Sequence, residues 1–155
     1  MAVPDTGSEA PDFELPRDGG GSIRLSALRG RPVVLYFYPK DNTSGCTAEA
    51  IDFSTRKAEF DALQVAVIGM SPDSPKSHEK FKAKHGLTID LVSDPEKKVL
   101  EAYGVWVEKS MYGRKYMGVE RTTFLIDREG RIAQVWRKVK VPGHVEAVLE
   151  AAKAL

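Results

Sequence analysis

The chain has 155 residues, with 23 Lys and Arg against 22 Asp and Glu and a formal net charge of +1. Apolar residues make up 42% and charged residues 29%, the composition of an ordinary soluble domain, and the length fits one domain spanning residues 1–155. The balanced charge excludes a strongly basic nucleic-acid binder and an acidic disordered tail.

Asp12–Pro16 and Ser22–Leu25 alternate on either side of Gly19-Gly20-Gly21 and predict an N-terminal β-hairpin. Ser26–Arg29 predicts one helical turn closed by Gly30. Val33–Tyr38 is β-branched, aromatic and apolar on both faces, the pattern of a central strand covered on both sides. Pro39 ends it, and Lys40–Gly45 is a polar turn. From Cys46 to Leu63, the residues Ala50, Phe53, Phe60 and Leu63 recur near a helical period and predict one helix. Val65–Met70 is a second buried strand, and a polar helix is expected over Pro75–Lys84, ending near Gly86. Ile89–Val92 reads as a short strand. Asp94 as N-cap and Pro95 as first helical residue then open a helix that runs to Tyr103 and stops at Gly104. Trp106–Val119, rich in glycine, tyrosine and basic residues, is expected to be irregular. Thr122–Asp127 and Arg131–Trp136 form a hairpin through Arg128-Glu129-Gly130. His144–Leu155 is a final amphipathic helix with Val145, Val148, Leu149 and Ala152 on one side. Early βαβ units imply parallel strands, and the late hairpin adds antiparallel ones. The expected class is α/β, a mixed central β-sheet flanked by helices, with the N-terminal hairpin appended.

The longest strictly apolar run, Val33–Tyr38, is far below the roughly 20 residues that cross a bilayer, so no membrane association is expected. Met1–Glu9 has neither a basic start nor an apolar stretch, so no secretory leader is visible. One cysteine excludes an internal disulfide, and a cytoplasmic location is the expectation. Cys46, His78, His85 and His144 show no close metal-ligand pairing, and no metal is expected.

A lone cysteine usually reads as a buried core residue. Cys46 departs from that because it follows a polar turn at the end of a central strand and opens a helix. The C-terminal ends of parallel strands are where ligands bind in α/β sheets. The first turn of a helix offers unpaired N–H groups and a positive dipole end, which favour the reactive thiolate. Taken alone, Arg121 reads as a surface charge and Thr43 as a turn or cap residue. His78 and His85, seven residues apart, read as solvated positions of one helix face. Lys109, Arg114, Lys115, Arg121, Arg137, Lys138 and Lys140 read as a solvated basic face, with no nucleic-acid partner.

Pro39, Thr43 and Cys46 stand in the order P-x-x-x-T-x-x-C within Tyr36–Thr47. This stretch resembles the active-site loop of the peroxiredoxins, and the wording Y-P-K-D-N-T-x-G-C-T is similar to the bacterioferritin-comigratory-protein (PrxQ) subfamily. A second match, Arg121-Thr122-Thr123-Phe124, lies 75 residues after Cys46 and resembles the strand that carries the family's active-site arginine. The resemblance implies a thioredoxin-like fold and a thiol-dependent peroxidase without a cofactor, reducing hydrogen peroxide and organic hydroperoxides to water or alcohols. It also implies a monomer. Cys46 matches the nucleophile toward the O–O bond, and Thr43 the hydroxyl that hydrogen-bonds thiolate and peroxide. Arg121 matches the guanidinium that holds the thiolate charged and polarises the peroxide. Pro39 matches the residue that shields the thiolate from water, and Glu49 resembles a position that helps orient the arginine.

The chain departs from the subfamily where a second, resolving cysteine stands in many members: Ile51 and Lys82 occupy those places. The resemblance then implies a one-cysteine mechanism. A Cys46 sulfenic acid would be resolved by an external thiol such as glutathione, a glutaredoxin or a thioredoxin, through a mixed disulfide. Two other readings compete. One is a sensor in which Cys46 oxidation is the signal and turnover is slow. The other is a cysteine hydrolase or acyltransferase, which needs a histidine base near Cys46; no histidine motif accompanies the loop.

Overall fold

The computed structural model describes residues 4–155; residues 1–3, part of the segment read above for a leader, lie outside the described residues. The chain enters as the expected hairpin, β1 (Glu14–Pro16) against β2 (Ser22–Arg24), followed by a 3-10 turn at Leu25–Leu28. Then come β3 (Val33–Phe37), α1 (Ser44–Thr55), α2 (Lys57–Ala62), β4 (Ala66–Ser71), α3 (Pro75–His85), β5 (Asp90–Ser93) and α4 (Lys98–Ala102). The last elements are β6 (Trp106–Met111), β7 (Arg114–Val119), β8 (Thr122–Ile126), β9 (Ile132–Trp136) and α5 (His144–Lys153).

The main sheet has the order β5-β4-β3-β8-β9. β3 pairs parallel to β4, and β4 parallel to β5, as the βαβ units require. β8 and β9 add antiparallel, which makes the sheet mixed. β3 sits in the middle with all five residues buried. Its side chains alternate between two cores, as a strand's period of two dictates. Val34 and Tyr36 pack with Ala50 and Phe53 of α1, Phe81 of α3 and Val148 of α5. Val33, Leu35 and Phe37 pack with Phe13, Ile23, Leu100, Tyr103 and Phe124 on the other face.

Three local expectations are corrected. The helix expected from Cys46 to Leu63 is two helices that break at Arg56 (φ −95°, ψ 5°). Just before the break the Thr55 hydroxyl donates to the Ile51 carbonyl (2.8 Å), a local bond that competes with the helical ladder. The Arg56 guanidinium reaches Glu59 and Glu146, each at 3.0 Å. The helix expected to start at Pro95 starts at Lys98. Its N-cap is Lys97, in a left-handed conformation (φ 63°), and not Asp94; the Asp94 carboxylate reaches the first turn from further back, accepting from the N–H groups of Val99 and Leu100 at 2.9 Å each. Trp106–Val119 is a regular antiparallel hairpin, β6 with β7, in register from Trp106↔Val119 to Met111↔Arg114. Tyr112 and Gly113 both have positive φ at its tip, the geometry of a two-residue hairpin turn.

Gly69 on β4 lies directly opposite Tyr36 of β3. A Cβ at Gly69 would stand 2.7 Å from Tyr36 Cζ, 2.8 Å from its hydroxyl and 3.0 Å from Leu91 Cδ2. The glycine therefore makes room for the Tyr36 ring under α1. Gly69→Ala is expected to destabilise the fold by about 1–3 kcal/mol through overpacking, read as a lower urea midpoint; an unchanged midpoint would show that the Tyr36 ring yields without cost.

Candidate active site

The register of β3 with β8 brings two distant segments together. Tyr36 faces Thr123 and Phe37 faces Thr122, so the residues just before β8 lie beside the loop that leaves β3. Arg121 is the residue before β8, and its carbonyl accepts from the Val139 N–H at 2.9 Å. The loop after β3 ends at Thr43, the N-cap of α1. Cys46 is the third residue of that helix and Glu49 lies one turn further, on the same face as Ala50 and Phe53.

Arg121 bridges the two. Its Nη2 donates to Cys46 Sγ at 3.3 Å, and its Nη1 donates to Glu49 Oε1 at 2.8 Å. Cys46 is 1% exposed and Glu49 fully buried. Gly45 allows the approach, because a Cβ there would stand 3.1 Å from Arg121 Nη2. Burial works against the charge on Arg121, but the charges of Cys46 and Glu49 outweigh it and raise its pKa. Burial wins at Glu49: despite the opposing pull of Arg121, its carboxyl is pushed up to about 7. Glu49 Oε2 is buried without a hydrogen-bond partner, and so is the Tyr36 hydroxyl. Burial, then the charges of Glu49 and Cys46, push the Tyr36 phenol well above its ordinary range, so it stays protonated.

The other two expected residues sit at the rim. Pro39 is half-buried just beyond β3, and Thr43 is exposed. The Thr43 hydroxyl donates to the Lys40 carbonyl at 2.8 Å; it makes no hydrogen bond to Cys46 in this state. The structure thus joins Cys46, Glu49 and Arg121 by direct bonds and places Thr43 and Pro39 on the loop beside them.

Several residues near the site were given no role in it by the sequence. His144, the first residue of α5, accepts or donates at Nε2 with the Thr123 hydroxyl (2.8 Å) and lies 4.0 Å from Glu49 Oε2. Burial, with Arg121 adding to it, holds its pKa down to about 4, so the ring is neutral at neutral pH. Among the described residues no histidine is hydrogen-bonded to Cys46, so the base that a cysteine hydrolase needs is not at the sulfur. Lys109 of β6, read above as part of a solvated face, is half-buried. Burial, then Arg121, lowers its pKa. His78, read as solvated, is fully buried. None of these stands in a recognisable motif, and the polar run of α3 concealed the burial of His78.

The chain is similar to known proteins over nearly its whole length. Residues 6–135 match the model of the AhpC/TSA family. The chain is 50% identical over 149 residues to peroxiredoxin Bcp of Bacillus subtilis, covering 96% of this chain and 95% of that protein. A solved structure of the Xanthomonas campestris bacterioferritin comigratory protein, in a study of its alkyl peroxide reduction activity, superposes with a TM-score of 0.88 at 47% identity, covering 92% of this chain and 90% of that one. A cysteine-to-serine mutant of Xylella fastidiosa PrxQ gives 0.93 at 40% identity, covering 99% and 98%. The fold is therefore the thioredoxin-like peroxiredoxin fold, and the protein is a thiol-dependent peroxidase. The chain belongs to the AhpC/TSA family, within its Bcp/PrxQ group, and carries a single cysteine.

The buried carboxyl has a consequence for stability. Because Glu49 titrates near 7 in the native state against an ordinary 4.5, the folded protein binds this proton more tightly than the unfolded chain. The resulting stabilisation is complete below about 4.5 and is lost as the pH rises through about 7. The difference in unfolding free energy between wild type and Glu49→Gln is expected to shift by up to about 3 kcal/mol between pH 4.5 and 8, wild type losing ground as the pH rises. Denaturant titrations across that range measure it, and parallel profiles would show that Glu49 is ionised in both states throughout.

Proposed function

We propose that this chain reduces hydrogen peroxide and organic hydroperoxides through a Cys46 sulfenic acid that an external thiol resolves. The observation that carries the reading is the Arg121 guanidinium bonded at once to Cys46 Sγ and Glu49 Oε1. Peroxide reduction needs a thiolate, and a fixed guanidinium fork can hold a sulfur and a peroxide oxygen together. The Cys46 thiolate attacks the hydroxyl-bearing peroxide oxygen; the S–O bond forms, the O–O bond breaks, and the other oxygen leaves as hydroxide or alkoxide, which takes a proton from solvent to become water or an alcohol. Negative charge moves to the leaving oxygen, so N–H donors aimed there act on the transition state more than on bound peroxide. Thr43 already gives its proton to Lys40, so its oxygen is oriented to accept from the peroxide O–H. Pro39, half-buried beside the loop, limits water at the sulfur. Glu49 holds Arg121 in place. The alkyl peroxide reduction studied in the Xanthomonas campestris relative supports organic hydroperoxides as substrates here.

The resolving step follows from the cysteine count. With Cys46 alone, no disulfide can close within one chain. Ile51 is exposed on α1, and Lys82 is tied by its ammonium to Asp18 (3.0 Å). An outside thiolate displaces the sulfenic oxygen as water and leaves a mixed disulfide, and a second thiol frees Cys46. A low-molecular-weight thiol such as glutathione, or a glutaredoxin or thioredoxin, supplies both electrons. When thiol is scarce, further peroxide carries Cys46 to sulfinic acid.

Intact-mass analysis of reduced protein given one equivalent of hydrogen peroxide, with and without a sulfenic-acid trap, tests the reading. Trapping should map to Cys46, reverse with added thiol, and slow by about 100- to 1,000-fold in Arg121→Ala. Thr43→Val should slow it as well. Cys46 reacting no faster than a free thiol would sink the peroxidase reading and favour a slow sensor.

A further inference from the structure

A second buried polar cluster lies beneath the active-site loop, and its centre is Asp41. The Tyr38 hydroxyl donates to Asp41 Oδ1 at 2.7 Å, and the Ser77 hydroxyl donates to Oδ2 at 2.8 Å. His78 Nδ1 also stands 2.8 Å from Oδ2. The Asp41 N–H donates to Asp73 Oδ2 at 2.8 Å. Both oxygens and the backbone donor of this one residue are therefore committed. His78 is committed too: its Nε2 lies 2.9 Å from the Val92 carbonyl. A carbonyl only accepts, so Nε2 is the donor to Val92. His78 has no exposed surface, and Asp41 has 6%.

This cluster joins three elements that are otherwise separate. Asp41 belongs to the loop between β3 and α1, His78 and Ser77 to α3, and Val92 to β5. The loop needs an anchor. It reverses the chain within a few residues, and Asn42 takes the left-handed conformation (φ 62°) that Asn adopts more readily than other non-glycine residues. A second ring of α3 reaches the same turn, His85 Nε2 at 3.1 Å from Asn42 Oδ1. Thr43 follows directly, caps α1, and accepts at its carbonyl from the Thr47 N–H at 2.9 Å. The position of Asp41 therefore sets where Thr43 stands relative to Cys46.

We propose that His78 is a positioning residue for the peroxide reaction: from α3 it fixes Asp41, and through Asp41 the turn that aligns Thr43 with Cys46. The role rests on Cys46 being the peroxide nucleophile. His78 touches neither the sulfur nor the bonded pair Arg121 and Glu49, so its loss should leave the thiol in place and disturb only the loop. Removing it also strips Asp41 Oδ2 of a buried partner, which frees the turn to shift Thr43 out of line with Cys46.

Two rates separate this role from simple loosening. Hydrogen peroxide oxidation, followed by sulfenic-acid trapping, reports alignment of the loop. Alkylation by iodoacetamide, which has no peroxide to align, reports access to a sulfur that is 1% exposed. In His78→Gln the peroxide rate should fall by about 10- to 100-fold while the alkylation rate stays close to wild type. Asp41→Asn should show the same split, and it keeps the test open where the histidine variant does not fold. Alkylation that accelerates in both variants would mean that the cluster only holds the structure shut, and would overturn the proposal. So would variants that react with peroxide as fast as wild type. Wild-type protein that forms no sulfenic acid would instead overturn the peroxidase reading itself.

Discussion

Arg121 bonds to Cys46 and Glu49 across more than 70 residues of chain, and much of the architecture answers to the demands of that contact. Burying a guanidinium costs several kcal/mol unless partners of opposite charge meet it with good geometry. Here Glu49 and Cys46 are those partners, and both come from one face of α1. That face can meet Arg121 only if β8 lies antiparallel beside β3, the register seen in the sheet. The Val139 N–H fixes the Arg121 backbone from the strand's far side, and Gly45 leaves the space its guanidinium fills. The arrangement also explains why burial dominates at Glu49: a carboxylate with one oxygen satisfied and one bare is only half compensated.

Around this contact the molecule is layered by polarity. The face of β3 that carries Val34 and Tyr36 supports α1 from below with aromatic packing; Tyr36 and Phe53 rings stack at 4.6 Å between centroids. Polar side chains appear within that core where the loop or Arg121 needs them: Asp41 with His78, Glu49 with Arg121, and Thr123 with His144. The opposite face of the sheet is lined by Phe37, Tyr103 and Phe124 in tilted and edge contacts. The chemistry is thus confined to one side of the sheet, at the end where β3 turns into α1.

Legibility in the sequence followed burial on two faces. β3 and β4 were readable because their runs are almost wholly apolar and flanked by turn residues, and Cys46 with Arg121 was readable because each stands in a distinctive word. The hairpin of β6 and β7 was not: its strands are largely exposed, so no apolar face marks them, and the only local signal was Tyr112-Gly113 at a tip where Tyr112 is 99% exposed. His78 was misread for a related reason. α3 is mostly polar, and its buried residues are His78 and Phe81, a pair too sparse to register as a stripe. The break at Arg56 was hidden because the contacts around it, a Thr55 hydroxyl bonding backward and the carboxylates of Glu59 and Glu146 on Arg56, are ones that apolar spacing does not encode. The bond from Thr43 to the Lys40 carbonyl is likewise a matter of rotamer, and no residue pattern reports it.

The solitary thiol has a kinetic meaning. A second cysteine tethered in the same chain acts at an effective concentration fixed by geometry, on the millimolar scale for short flexible tethers, and independent of its surroundings. On the proposed mechanism Cys46 waits for an outside thiol, so resolution is second-order and the lifetime of the oxidised state lengthens in inverse proportion to the supply of thiol. Because the sulfur lies almost wholly under Arg121 and its own helix, slender visitors are favoured over bulky ones unless the start of α1 opens. The occupancy of the oxidised form then becomes a running record of the ratio between peroxide arriving and thiol on hand.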